Sequence, residues 1–236
     1  MWQALVWKEW REQRWRLYFG TALLATFTVI GLRTRLIPDE HLVSMTIMVG
    51  GILFPLMVAM GLVAPERSEG TMVRLLALPV RPWQVLAAKG LVGAAVCAAP
   101  ILISGLLAML VAGNRELPWD ELIALYSVGI GLALAVFAWF TAAGVRQPSE
   151  ARAGIAGIII FALWALLIGI GTMIGIEIFH EATQVEWVAI FSPFGLVMLV
   201  ESSAPPAAVI AIQLAMFAVV WAWAAWRIGK PGKVVA

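Results

Sequence analysis

The hydrophobic positions of this chain are grouped into six long apolar runs, separated by charged or proline-containing segments. A helix needs about 20 apolar residues to cross the hydrocarbon core of a bilayer. The pattern therefore predicts an all-α polytopic membrane protein with six transmembrane helices. The predicted spans are Leu17–Leu32, Leu42–Ala64, Leu91–Val111, Leu122–Val145, Gly154–Ile176 and Pro206–Trp226.

The first run is the shortest of the six. Trp15 before it and Arg33 and Arg35 after it extend it as interfacial anchors. A cleaved signal peptide is the alternative for this run. Glu9 and Glu12 precede the run and no small-residue cleavage site follows it, so we expect it to remain as a span.

Composition agrees with the membrane class. Of 236 residues, 62% are hydrophobic and 13% are charged, and the mean hydropathy is +0.94. A soluble domain usually has about 25% charged residues, because they cover its surface. The single cysteine, Cys97, lies in an apolar run and is expected to be a packed apolar residue without redox chemistry.

Lysine and arginine are distributed unequally between alternate loops. Six spans place both termini on one side of the membrane, and 13 of the 16 lysines and arginines fall on that side. The positive-inside rule therefore predicts a multi-pass protein of the cell (inner) membrane with both termini and Ala64–Lys89 in the cytoplasm. The net charge of +2 reflects this topology and not nucleic-acid binding.

The spans contain few polar side chains. No ionisable residue lies near the centre of a span, which disfavours coupling to an ion gradient, because coupling ions bind within the bilayer. Gln213 is the most polar side chain deep in a span, and we expect it to make an interhelical hydrogen bond. Trp164, midway along the fifth span, is expected to pack between helices or to face lipid; a position on a substrate path is the alternative.

Signatures of catalysis and of cofactor binding are absent from the sequence. The stretch HEATQ at His180 lacks the second histidine of a zinc motif, and neither a G-x-S-x-G turn nor a G-x-x-x-x-G-K-[ST] phosphate loop occurs. We therefore predict no catalytic residue, no metal site and no cofactor in this chain.

Residues 1–16 predict an amphipathic helix that lies along the membrane interface. Trp2, Val6 and Trp10 share one face, whereas Glu9 and the other charged residues lie mainly elsewhere. The predicted interfacial anchors are Trp2, Val6, Trp10 and Arg14. The segment either only anchors the topology or also acts as a lever on the first span.

Ala64–Lys89 is the longest segment that is not plainly apolar. Pro65 suits a first helical position, and the residue before Pro79 avoids helical geometry. The pattern predicts a short amphipathic helix over 65–79, stiffened by proline at both ends, and a further helix that begins at Pro82. An ordinary connecting loop is the alternative, although such a loop needs only a few residues.

The stretch PERSEGTMVRLLALPVRPWQVLAAK resembles the segment between the second and third spans of type-2 ABC exporter permeases. In that family E-R-x-x-G-T is followed by a leucine-rich turn, L-P-V and a lysine. The matching residues here are Glu66, Arg67, Gly70, Thr71, Leu75, Leu76, Leu78, Pro79, Val80 and Lys89. The resemblance implies a coupling helix seated in a groove of a separate cytoplasmic ATP-binding cassette subunit, which holds ATP and Mg²⁺. The partner-binding residues that it implies are Glu66, Arg67, Glu69, Gly70, Thr71, Arg74, Leu75, Leu78 and Pro79.

The resemblance extends in outline to the whole chain, so that residues 1–236 form a single transmembrane domain. The stretch SPFGLVML, Ser192–Leu199, is similar to the apolar segment between the last two spans of the family. It implies short re-entrant helices within the external segment 177–205. The external loops of this chain are short, which argues against any function that needs a large external domain.

The function implied by the resemblance is the permease subunit of an ATP-driven exporter. A second permease chain, identical or paralogous, would complete the pathway, and hydrolysis would occur in the partner subunit. Three alternatives stay open at the level of sequence: the substrate-binding membrane subunit of a vitamin importer, an intramembrane enzyme, and an assembly or immunity protein that uses the same scaffold.

Overall fold

The chain is all-helical in its computed structural model, which describes residues 2–34, 39–68, 81–112, 118–145, 147–174, 189–197 and 206–228. Within those residues there is no β-strand, and six helices are long and apolar enough to cross a membrane. These helices are Trp2–Thr34, His41–Leu62, Trp83–Val111, Trp119–Gly144, Glu150–Ile170 and Pro206–Arg227. The all-α class with six membrane-length helices is therefore confirmed.

The first helix, α1 (Trp2–Thr34), is continuous over 33 residues. At 1.5 Å per residue it is about 50 Å long, whereas the hydrocarbon core is about 30 Å thick. The sequence predicted a separate helix over residues 1–16, but in the structure residues 2–16 continue into the first span without a break. The physical reason is that no proline or glycine interrupts residues 2–19.

The second span combines α2 (Asp39–Met48), a π-helical turn (Val49–Leu53) and α3 (Phe54–Ser68). The Phe54 amide donates to the carbonyl of Val49, five residues earlier instead of four. Pro55 follows directly, and the wider turn accommodates a residue that has no N–H and whose ring displaces the preceding turn. The helix irregularity next to Pro55 therefore takes the form of a π turn.

The helix α3 continues through Pro65 and ends at Ser68. This differs from the prediction that a separate helix begins at Pro65. A proline inside a helix removes one backbone hydrogen bond, and membrane helices tolerate that loss. Beyond residues 69–80, the helix α4 (Pro82–Ala112) begins at Pro82 as predicted and contains Pro100. The further long helices among the described residues are α5 (Trp119–Gly144), α6 (Glu150–Ile174) and α7 (Pro206–Ile228).

One compact unit of the chain comprises the residues up to Val58 together with 84–137. Its core is close-packed through glycines. At Gly50, in the π turn, an added methyl group would lie 2.9 Å from Leu24 Cδ1 and 2.9 Å from Ile101 Cγ1. Small residues allow this approach of three helices, which stabilises a bundle in lipid, where the hydrophobic effect between helices is absent.

A second compact unit comprises residues 59–83 and those from 138 onward. Phe140 packs on Gly157, so a small residue of α6 again permits close contact. Trp139 and Trp164 meet edge to face with 5.9 Å between their ring centroids. Trp164 therefore packs between α5 and α6, which is one of the two positions predicted for it.

A turn over residues 189–197 is fixed to α7 by Gln213. The Gln213 side-chain amide donates to the main-chain carbonyl of Ile190 and to that of Ser192, the latter at 3.0 Å. The Phe194 ring packs edge to face on Phe161 of α6, with 4.8 Å between centroids. Gln213 makes a hydrogen bond as predicted, but its partner is this turn and not a neighbouring span.

Candidate coupling site

The centre of the site is a buried ion pair that joins the N-terminal turns of α1 and α4. The Lys89 ammonium donates to both carboxylate oxygens of Glu9 at 3.0 Å. The Lys89 side chain is 1% exposed and the Glu9 side chain 2% exposed. Because water is excluded from both groups, the interaction is strongly directional and is little screened by salt.

The local sequence of each helix brings the two charges to the contact. Leu5, Glu9 and Gln13 are spaced four residues apart, so they form one row along α1, and all three are buried. On α4, Lys89 is preceded by the buried Leu86, one turn earlier. A polar pair therefore interrupts two otherwise apolar contact rows at the same level.

Further charged side chains lie next to the buried pair, and their exposure to solvent increases with distance from it. Lys8 Nζ lies 3.3 Å from Glu9 Oε1 and 3.1 Å from Glu12 Oε1, and these two outer side chains are 31% and 49% exposed. Two cations therefore contact the buried Glu9 carboxylate, one from its own helix and one from α4. Farther along α1, Arg16 donates to the Gln13 side-chain oxygen at 2.7 Å.

The energetic cost of breaking the Glu9–Lys89 pair holds α1 and α4 together. Two charges taken out of water carry a desolvation cost that is offset only by complete pairing. Removing one partner from such a pair costs about 3–5 kcal/mol, because the other charge stays buried and uncompensated. The N-terminal turns of α1 and α4 therefore cannot separate or slide past each other without a large energetic cost.

The predicted interfacial anchors lie beside this pair. Trp2, Val6 and Trp10 line an apolar groove whose other wall is formed by α4, and Arg14 is exposed one turn farther along α1. The α4 side of the groove consists of Leu91, Val92 and Ala95. The predicted apolar face thus exists and lines a groove beside α4, whereas the buried row of α1 is the one that contains Glu9.

Two of the predicted partner-binding residues fall within α3. Glu66 is buried in its last turn, and the backbone of Arg67 is helical. The others, Glu69, Gly70, Thr71, Arg74, Leu75, Leu78 and Pro79, lie outside the described residues. Lys89, the lysine of the same motif, was not among the predicted partner-binding residues, and the structure places it in the ion pair with Glu9.

Sequence reasoning did not predict that Glu9 is buried in an ion pair. It assigned Glu9 to the polar side of an interfacial helix because the tryptophan face is more conspicuous. The signal that points to Glu9 is its four-residue spacing from Leu5 and Gln13, which makes a second row on the same helix. A carboxylate in such a row requires a cationic partner, and Lys89 is 80 residues away in the chain.

A second polar contact links α1 and α4 farther along the same helices. The Thr28 and Ser104 hydroxyls are hydrogen-bonded at 2.6 Å, and both side chains are buried. Hydrogen bonds of this kind between membrane helices contribute on the order of 0.6 kcal/mol. Polar contacts therefore join α1 and α4 at two levels, and the stronger of them is the ion pair near the N-terminal turns.

Comparison with known proteins identifies a family that this chain matches. A protein-family model described as an ABC-2 family transporter protein matches residues 35–227. The match contains the predicted coupling segment and Lys89, whereas Glu9 precedes it. A comparison with curated proteins finds no match.

Proposed function

Because the chain belongs to the ABC-2 family of transporter membrane proteins, we propose that it is the permease subunit of an ATP-driven exporter. Membership of this family implies partnering with an ATP-binding cassette subunit. The membrane subunit of the family is typically non-catalytic, and the family indicates no cofactor for it. In this proposal the partner subunit holds ATP and Mg²⁺ and performs the hydrolysis. The present chain converts the movement of that partner into opening and closing of a path through the membrane.

The single observation that carries the proposal is the Glu9–Lys89 ion pair. Lys89 lies in the early turns of α4, close behind the segment that the family resemblance identifies as the contact with the ATP-binding subunit. A displacement of that segment reaches α4 directly, because the segment leads into its first turn. Because breaking the ion pair exposes two buried charges, α1 moves together with α4. A displacement of this one cytoplasmic segment by the ATP-binding subunit therefore moves more than one span.

The proposed contact with the ATP-binding subunit comprises residues 66–79. Glu66 and Arg67 are in the last turn of α3, and Pro82 opens α4, so the intervening segment is attached to a helix at both ends. A segment held in this way transmits displacement to both helices. We propose that Glu69, Gly70 and Leu78 are central to the contact, as the family motif implies.

We propose that both termini and residues 66–79 face the cytoplasm of the cell (inner) membrane. The excess of lysine and arginine on that set of loops supports this orientation. The Arg227 guanidinium, 4.8 Å above the Trp223 ring near the end of α7, is typical of a pair that anchors a helix at the interface. The orientation exposes residues 66–79 to the compartment that contains ATP.

We propose that the transport path forms between two permease chains, either identical or paralogous. The helices α6 and α7 expose large apolar side chains along their length, which suits contact with lipid or with a second chain. Residues 189–197 and the rest of the segment 177–205 are proposed to re-enter the outer leaflet. The hydrogen bonds from Gln213, which lies within the last span, support this arrangement for residues 190–192.

The test of the proposed function is co-purification followed by coupled turnover. The tagged chain is purified from its native membrane in mild detergent, and any ATP-binding cassette protein that co-purifies with it is identified. We expect a stable complex with an ATP-binding cassette subunit. The ATPase activity of that subunit should be higher in the reconstituted complex than in the subunit alone. A chain that recovers no ATPase, or that binds a ligand tightly when purified alone, contradicts the proposal and favours a substrate-binding subunit of an importer.

A further inference from the structure

The N-terminal half of α1 contains cationic side chains that take no part in its ion pairs. Residues 2–16 contain four cationic and two anionic side chains, and Glu9 and Glu12 are both engaged by lysines. Arg11 and Arg14 are exposed, and within the part of the chain that the structure describes neither has an anionic partner. Two exposed guanidinium groups that can bind an anion therefore lie on the outer surface of this helix.

An apolar groove lies immediately beside these two arginines. It runs between α1 and α4 and is lined mainly by tryptophan and aliphatic side chains, with Trp2 and Trp7 being 42% and 65% exposed. Its principal lining residues are Trp2, Val6, Trp7, Trp10, Leu91 and Ala95. In a water-facing position this surface would be unfavourable, so an apolar group is needed to cover it.

The helix geometry aligns the two arginines with the groove. Arg11 is four residues after Trp7, and Arg14 is four residues after Trp10, so each arginine lies one turn above a tryptophan on the same face. Side chains on a helix lean toward its N-terminus, which brings both guanidinium groups over the tryptophan turn. Arg11 and Arg14 are themselves three residues apart and therefore neighbours on the helix surface.

We propose that this surface binds an anionic phospholipid of the surrounding membrane. The phosphate lies between Arg11 and Arg14, because a planar guanidinium pairs with phosphate through two parallel hydrogen bonds. The glycerol and the upper part of an acyl chain cover the groove, where tryptophan rings are favoured at headgroup level. The charge excess selects an anionic lipid, and the apolar wall selects a lipid over a free anion.

This inference goes beyond transport, because it concerns what holds the N-terminal half of α1 and does not depend on an ATP-binding partner. The lipid site lies beside the Glu9–Lys89 pair along the same two helices. A bound lipid therefore adds a second restraint on α1 from the membrane side. The proposal predicts that anionic lipid raises the stability of the isolated chain.

The experiment measures quenching of tryptophan fluorescence by brominated lipids in the purified full-length chain. The protein is reconstituted in phosphatidylcholine vesicles with a constant fraction of phosphatidylglycerol, and either one lipid or the other carries the bromine. The test variant is the double substitution Arg11→Gln with Arg14→Gln. The matched control, Arg33→Gln with Arg152→Gln, removes two exposed charges elsewhere.

In the unsubstituted chain we expect stronger quenching by brominated phosphatidylglycerol than by brominated phosphatidylcholine. The relative affinity for the anionic lipid should fall about 25-fold in the test variant, because each of the two cations near an anionic surface contributes about fivefold. The control pair should retain the preference. All four substituted positions are exposed, so unchanged elution and thermal unfolding without lipid are expected for both variants.

Three results overturn the proposal. An equal loss of preference in the test and control variants means that only the overall charge matters. Displacement of brominated phosphatidylglycerol by inorganic phosphate, at a concentration equal to that of the lipid, means that the arginines bind a free anion and that the groove contributes nothing. Absence of any preference in the unsubstituted chain also excludes the site.

Discussion

The Glu9 carboxylate on α1 and the Lys89 ammonium on α4 form a buried ion pair with both N–O distances at 3.0 Å, although the residues are 80 positions apart in the chain. One of them belongs to a family motif and the other lies before the matched region. The pair fixes α1 to α4 near their N-terminal turns. It is the structural basis for the expectation that a movement of α4 is passed on to α1.

Loss of either charge should destabilise the protein and uncouple it. We expect Glu9→Gln or Lys89→Met to lower the free energy of unfolding by about 3–5 kcal/mol, because each leaves an uncompensated buried charge. Thermal unfolding in detergent measures the stability, and transport per ATP hydrolysed measures the coupling. The control is Lys8→Gln, which removes a partly exposed pair and should cost about 1 kcal/mol or less.

The double substitution Glu9→Lys with Lys89→Glu distinguishes the pair from two independent effects. The reversed pair keeps both charges matched, so the double variant should be more stable than either single reversal. Stability equal to the sum of the two single losses would show that the residues do not interact directly.

Substitutions in the segment 66–79 should separate hydrolysis from transport. We expect Glu69→Lys and Gly70→Trp to abolish transport while the chain still inserts and the partner subunit still hydrolyses ATP, because the contact with that subunit is disturbed. The measurement is substrate efflux against phosphate release in proteoliposomes. Glu150→Lys, an exposed charge change at the start of α6, serves as control. Normal efflux in both test variants rules out the contact.

Replacement of Gln213 should release the turn over residues 189–197. Gln213→Leu removes two hydrogen bonds and leaves the Ile190 and Ser192 carbonyls buried without this donor, at a cost of about 2 kcal/mol. The matched control is Ile210→Leu, an exposed position on the same helix. Thermal unfolding reports the stability difference.

Thiol labelling tests the position of the same turn. In a Cys97→Ala background, a cysteine placed at Phe191 should react faster with a membrane-impermeant maleimide when Gln213 is replaced by leucine. Equal labelling rates with glutamine and leucine at position 213 would mean that the side chain does not hold the turn in place.

Glycine substitutions should reveal which contacts between helices are tight. We expect Gly50→Ala to destabilise the protein by about 1–3 kcal/mol, because the added methyl group would lie 2.9 Å from Leu24 and from Ile101 in a packed core. Gly169→Ala is the control, since no described atom lies within 4 Å of its added methyl group, and it should be neutral or slightly stabilising. A reversed order of the two stabilities contradicts the packing.

The proposed orientation predicts a labelling pattern in intact cells. In the Cys97→Ala background, Glu116→Cys should react with an impermeant maleimide from outside, and Gln147→Cys should react only after permeabilisation. The reason is the excess of lysine and arginine on the loop set that contains position 147. The opposite pattern would place the segment 66–79 outside the cell, where an ATP-binding subunit cannot reach it.

The sequence was most informative where a property is local. Pro82 opens α4 as predicted, because its missing N–H has no partner at that position in any helix. The start predicted at Pro65 was wrong for a related reason. A proline marks a favourable helix start, but a helix that is already formed and held by its neighbours can continue through it at the loss of one hydrogen bond.

The amphipathic pattern of residues 2–16 was informative only in part. Trp2, Val6 and Trp10 form the apolar face that was predicted. The burial of Glu9 was not predicted, because an isolated amphipathic helix places a glutamate toward water. Its environment depends on α4, which no pattern within residues 2–16 describes.

The sequence by itself determined the six membrane-length helices among the residues that the structure describes, because long apolar runs in lipid satisfy their backbone hydrogen bonds only as helices. The family motif, which is also local, identified the class of transporter. Only the tertiary structure decided which polar groups meet: Glu9 with Lys89, Thr28 with Ser104, and Gln213 with the Ser192 carbonyl. Insertion depends on the apolarity of each run, whereas polar pairing depends on which faces of distant segments come into contact.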